Sequence, residues 1–171
     1  QDAMAIIASE TFTSTSAPIQ HAAITAFEGG EDIDEYLKQS RRVLKVVGEY
    51  MYSRLSAMGA VVRKPEGAFY LFPDFSAFSE KLARKDIKTS QAFCTALLED
   101  TGVAILPSSD FGFVPDHMGA RLAFVDFDGT QALELAGGDY ADQELGDDFV
   151  KEAGPRLVLA MDKMEKWLNN L

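Results

Sequence analysis

Between residues 31 and 58 the apolar side chains Ile33, Leu37, Leu44, Val47, Met51 and Leu55 recur at helical spacing among charged and polar neighbours. This pattern predicts one long amphipathic helix, stopped at Gly59, and it limits the folds open to the chain. A helix of that length draws most of its stability from burying its apolar stripe, so other elements must be supplied to cover it. The next residues supply them. "AVVR" (60–63) and "GAFYLFPDF" (67–75) read as strands either side of a Pro65–Gly67 turn, with Pro73 ending the second or holding it at an edge. "VAILPSS" (103–109) and "ARLAFVDF" (120–127) read as two more strands. Helices are predicted at about 76–84 and at 90–101, the latter capped by Thr89 or Ser90. The acidic stretch 128–147 reads as partly helical, and a last amphipathic helix covers 148–169, where Pro155 marks a kink or a second start. Ahead of the long helix, residues 1–10 read as the tail of a helix. A short helix runs from the N-cap Ser16, with Pro18 in its first turn, through Phe27 to Gly29 and Gly30. Helices grouped around a few strands make an α+β layer architecture.

Composition excludes several function classes. The 171 residues, 47% hydrophobic, suit a single domain, 1–171, with a real core. A formal charge of −11 argues against a nucleic-acid or anionic-membrane surface, so neither is expected as a partner. Cys94 is the sole cysteine, which rules out an internal disulfide; inside a predicted helix beside Phe93 it reads as a small core residue. No apolar run approaches the ~20 residues that span a bilayer. "QDAMAIIASETF" has no basic leader region and enters an apolar segment at once, so the expectation is a piece cut from a longer, cytoplasmic chain. His21 and His117 lack partners at ligand spacing, and no metal site is expected. "SDFG" (109–112) shares letters with a kinase magnesium motif but none of its companions, and "DFDG" (126–129) places its glycine too early for a calcium loop.

Three features stand out from this background. Arg121 interrupts the apolar run "GARLAFVDF" (119–127), where a guanidinium that cannot lose its charge requires an anion, either a carboxylate of this chain or a ligand. In "PEGAFYLFPD", Gly67 precedes two aromatics and reads as a turn glycine or as a point of close approach by a ligand or backbone. The hydroxyl cluster Thr11, Thr13, Ser14, Thr15 and Ser16 reads as a loop and cap or as a phosphate-binding loop at a helix N-terminus.

In this order and spacing, "TSTSAPIQHAAITAFEG", the long helix, "KPEGAFYLFPDF", "GVAILPSSDFG" and "ARLAFVDF" resemble the C-terminal, small-domain portion of a fold-type-I pyridoxal-phosphate-dependent aminotransferase of the aspartate aminotransferase superfamily (class I/II). The resemblance runs from about Ser9 to Phe127 and loosely through the last helix. It implies a small, mostly antiparallel sheet covered by helices. In that arrangement 1–30 is a residual segment from the large-domain side, 31–58 the helix connecting to a missing large domain, and 59–171 the small-domain body. It also implies pyridoxal 5'-phosphate as cofactor, an amino acid and a 2-oxo acid as substrates, and a homodimer of the parent enzyme.

Residue by residue, the resemblance implies that Arg121 binds the substrate α-carboxylate and that Phe69 lines the substrate side of the pocket, with its strand neighbour Tyr70 turned to the core. Ser16 matches a position that approaches the cofactor phosphate of the neighbouring subunit. The family's Schiff-base lysine stands in a Ser-x-x-Lys type segment that has no counterpart here. The nine lysines all read as surface charge, so no catalytic residue and no covalently bound cofactor are expected in this chain, which would be inactive alone. A related pyridoxal-phosphate lyase or synthase, and a ligand-sensing aminotransferase-like domain of a transcription regulator, share these motifs and remain open from the sequence.

Overall fold

The computed structural model describes residues 1–12 and 15–171, which divide into two compact units, Gln1–Lys38 and Gln39–Leu171. Thr13 and Ser14, two members of the hydroxyl cluster, lie outside the described residues.

The first unit holds α1 (Asp2–Thr11), α2 (Ala17–Glu28) and the opening turns of α3 (Glu31–Ala57). Ser16 is the N-cap of α2 and Pro18 sits in its first turn, as the sequence predicts, but the Ser16 hydroxyl makes no capping hydrogen bond. Gly29, at φ 72°, ends the helix in a backbone region that disfavours side chains. No residue of α1 or α2 is buried, and Phe27 is 91% exposed.

In the second unit α3 buries Val43, Val46, Val47, Tyr50, Met51 and Leu55, a stripe at three- and four-residue intervals. The stripe predicted to begin at Ile33 is buried only from Val43 onward; Ile33 and Leu37 keep their helical spacing but stay exposed. Spacing prescribes which side is apolar, and burial additionally needs an element opposite. That element comes closest at Gly48, where an added Cβ would lie 3.1 Å from both Phe124 and Pro65. Gly59, at φ 96°, stops the helix.

Three antiparallel strands follow: β1 (Tyr70–Leu71), β2 (Leu106–Pro107) and β3 (Ala120–Ala123), in the order β1-β3-β2. Tyr70 faces Ala123 and Leu106 faces Arg121 across the ladders. All are shorter than predicted. The 60–63 segment contributes a single bridge, Val61 to Asp74, and within the 67–75 run Ala68 stands at φ 56° while Pro73 has no N–H to donate. Side chains alternate across the sheet: Leu71, Pro107, Ala120 and Leu122 face the core, while Tyr70, Leu106, Arg121 and Ala123 occupy the open face.

The core face packs on one cluster that includes Phe75, Phe93, Phe124 and Phe149, all at most 1% exposed. Around it stand α4 (Ser79–Arg84), α5 (Ser90–Thr101), α6 (Gly129–Gly137), α7 (Asp147–Ala153) and α8 (Pro155–Asn169). Thr89 Oγ1 accepts from Ala92 N–H (3.1 Å) and caps α5 as predicted; Asp128 accepts from Thr130 and Gln131 N–H and caps α6. Pro155 is a second start, the first residue of α8, and does not kink a continuous helix. The architecture is therefore α+β, a small antiparallel sheet with helices over its core face.

Candidate functional site

The open face of the sheet carries the candidate site. Arg121 projects from the central strand β3 and is half-buried. Its guanidinium carbon lies over the Tyr70 ring at 4.6 Å on one neighbour and over the Phe111 ring at 4.8 Å on another. Such cation–ring contacts contribute roughly 0.5–1 kcal/mol each at exposed sites and more when water is excluded. Among the described residues the Arg121 side chain makes no hydrogen bond and no ion pair. Acids that do pair with arginines pair elsewhere: Asp162 and Glu165 hold Arg54 at 2.7 and 3.0 Å, and Asp126 holds Arg156 at 2.9 Å. Those partners push the Arg54 guanidinium well above the usual arginine range against the opposing effect of its own partial burial, the largest single influence on it.

Phe69 and Tyr70 both emerge at the surface, 37% and 42% exposed, with ring centres 4.4 Å apart. The expectation that Tyr70 turns to the core is overturned. Ala68 stands in the left-handed region two residues before Tyr70, the strand begins at Tyr70, and Leu71 takes the core position. Tyr70 thus meets Arg121 directly, and Phe69 lies against Tyr70. Phe111 lies in the 3-10 turn 108–111 that follows β2. Its neighbour Phe72 meets it edge-on at 5.7 Å, Phe113 stacks on Phe72 at 5.3 Å, and His117 stacks on Phe113 at 4.7 Å. Sequence reasoning missed Tyr70 and Phe111 as partners of Arg121. Phe111 sits in "SDFG", next to nothing that marks it in one dimension.

Other predicted features separate from this site. A Cβ on Gly67 would meet nothing within 4 Å, so among the described residues no backbone crowds it. Gly67 lines a groove of about 540 Å³ together with Arg41, Lys45, Glu49, Ala68 and Phe124. Glu49 bonds Lys64 at 2.8 Å, and that hydrogen bond holds its carboxyl below the usual range. Ser16 belongs to the first unit, with an exposed hydroxyl free of a capping bond. Cys94 is 5% exposed; burial, then the charge of Asp110, pushes its thiol up to about 12, as suits a core residue.

The family profile "Aminotransferase class I and II" matches residues 2–126. The chain belongs to the class I and II aminotransferase family. An aspartate aminotransferase of Bacillus sp. (strain YM-2) is 37% identical over 112 residues, covering 65% of this chain and 27% of its own length. An asparagine–oxo-acid transaminase of Streptococcus mutans is 38% identical over 124 residues, covering 71% of this chain and 29% of its own length. The chain thus spans less than a third of the length of these curated relatives. Among solved structures, the aspartate aminotransferase of Rhizobium meliloti aligns with a TM-score of 0.62 at 25% identity, over 98% of this chain and 35% of that one.

Class I and II aminotransferases imply pyridoxal phosphate. Holding it covalently takes a lysine amine withdrawn from water, and the described residues do not fit that requirement. All nine lysines are exposed. Lys64, Lys88 and Lys151 are held protonated above the usual lysine range by the hydrogen bonds they donate to Glu49, Asp86 and Asp148. Lys163 donates to Thr101 O at 3.0 Å.

Proposed function

We propose that this chain is the C-terminal, small-domain part of an aminotransferase that moves an amino group between an amino acid and a 2-oxo acid, and that Arg121 is its receptor for the substrate α-carboxylate. The observation that carries the reading is a half-buried guanidinium on the open face of the sheet, held by two rings and by no anion among the described residues. A planar fork of donors suits a carboxylate, which it can grip through two parallel N–H···O bonds. Gripping the carboxylate fixes the substrate's Cα–H relative to whatever group removes its proton, and such alignment is worth several kcal/mol in general. Pyridoxal phosphate, when bound by the longer protein, supplies the electron sink for charge developing at that carbon. Phe69, beside Tyr70, lines the substrate side. Ser16 offers its uncapped hydroxyl to a phosphate of a neighbouring subunit. The covalent lysine belongs to the part of the relatives' length that this chain does not span, with 31–58 as the connecting helix.

The test uses the longer polypeptide with an amino acid and a 2-oxo acid. Arg121→Ala should lower kcat/KM by roughly a hundredfold or more, the loss expected when a charged two-point partner is removed, and Arg121→Lys should recover only part. Full activity of Arg121→Ala overturns the assignment. This chain alone, incubated with pyridoxal phosphate and dialysed, should retain no imine absorption; a band abolished by one lysine substitution overturns its placement as the non-catalytic part.

A further inference from the structure

We propose that Tyr70 and Phe111 are positioning residues for Arg121, a pair of rings that clamp the guanidinium and leave its N–H edge open to receive a planar carboxylate. The proposal rests on the carboxylate-receptor reading of Arg121.

An arginine side chain is long and freely rotating, and binding sites ordinarily orient it with hydrogen bonds to its donors. Arg121 has none among the described residues, and the two rings at 4.6 and 4.8 Å are its only polar or ring partners. Tyr70 and Phe111 make no ring contact with each other among the described residues, so each meets the guanidinium carbon independently. They also come from elements on opposite flanks of the central strand, β1 and the turn after β2. Each ring is braced in turn. Phe69 lies against Tyr70 at 4.4 Å, and Phe72 meets Phe111 edge-on at 5.7 Å while Phe113 backs Phe72.

The rings are not core residues: Tyr70 is 42% and Phe111 39% exposed. Large aromatics held at the surface in contact with one charged group are placed for that group. A guanidinium held over ring faces through its carbon, with no hydrogen bond spent on its donors, keeps those donors for an anion, and their planar fork favours a planar anion over a spherical one. The Tyr70 hydroxyl makes no hydrogen bond among the described residues, so the ring face is the working part and phenylalanine should serve in its place.

The experiment follows the Arg121 Nε–Hε signal by NMR in this chain labelled with isotopic arginine. It measures rotation of the guanidinium and its response to acetate, with chloride balancing ionic strength. In the unaltered chain rotation should be slow, and acetate, but not chloride, should shift the signal. Tyr70→Ala and Phe111→Ala should free the rotation and weaken acetate binding about three- to tenfold, the range expected when an ordered long side chain must be immobilised afresh. Tyr70→Phe should keep both properties. A merely structural role would lower Tm and leave the rotation as it was. Should either alanine variant fail to fold, Tyr70→Leu and Phe111→Leu keep apolar bulk without a ring face and are read the same way. Unchanged rotation and acetate affinity in both ring-removing variants overturns the proposal, as does free rotation in the unaltered chain. If acetate shifts nothing in the unaltered chain, the carboxylate reading falls, while the rotation measurements alone still decide whether the rings position Arg121.

Discussion

Arg42→Met removes the most heavily used guanidinium on α3 while keeping an apolar stem. Arg42 donates from Nη1 to Gln39 Oε1 (2.7 Å) and Ala136 O (3.0 Å), and from Nη2 to Tyr140 O (2.8 Å) and Gln143 O (2.8 Å). The three carbonyls close α6 and shape the acidic turn behind it, so one side chain ties residues 136–143 to α3. A hydrogen bond to a charged group contributes about 1.5–3 kcal/mol when buried, and a stranded carbonyl costs about as much. Two of the carbonyl bonds are part-buried and the third is exposed, where water can replace the donor. Discounted for that access, the expected loss is roughly 2–4 kcal/mol, a large share of the ~5–15 kcal/mol that holds a typical domain together. Urea unfolding followed by Trp167 fluorescence should show a lower midpoint at an unchanged slope. Amide exchange should quicken first at Gly138, Tyr140 and Ala141, whose N–H groups bond within this turn. Arg42→Lys should recover less than half, since one ammonium cannot serve three separated carbonyls. A loss below about 0.5 kcal/mol, or unaltered protection at those amides, would refute the argument from charge-assisted bonds.

Arg121→Ala should cost this chain about 1–2 kcal/mol by thermal or urea unfolding, the value of two cation–ring contacts and a packed stem, because no buried carboxylate is left unpaired; a loss of 3–5 kcal/mol would mean that a buried ion pair had been broken. Cys94 should resist alkylation in the folded chain at pH 8 and react on unfolding. Its proton is held more tightly folded, with the pKa pushed up to about 12, than unfolded, so its contribution to stability is present below the ordinary thiol range and is lost as pH rises toward 12. Stability of Cys94→Ala should therefore fall less steeply above pH 9 than that of the unaltered chain, and parallel curves would count against it. Ala68→Gly should raise stability by up to about 1 kcal/mol, relieving a left-handed alanine against the greater chain entropy of glycine; a drop in Tm would show that the methyl group packs.

The sequence by itself determined the elements whose causes are local. The α3 stripe, the Thr89 cap, the Ser16 and Pro18 opening of α2, the glycine stops at Gly29 and Gly59, and the core place of Cys94 all follow from spacing, caps and backbone preference. The order of motifs likewise carried the family. What needed the tertiary structure is everything set by a partner distant in the chain. Ile33 and Leu37 bear the right spacing, yet burial begins at Val43, where α3 gains a neighbour. Arg42 reaches carbonyls about a hundred residues away, a pairing no periodicity encodes. Within the strand predicted at 67–75, Ala68 adopts a left-handed conformation that its residue type disfavours and that the sequence does not announce. The strand's alternation left Tyr70 outward and Leu71 in the core, and the β1-β3-β2 order brought Tyr70 and Phe111 from either flank to Arg121. A charged residue in an apolar strand announces in sequence that it needs company. Which groups provide it depends on the register of the sheet and on the turn that packs beside it, and these are properties of the fold.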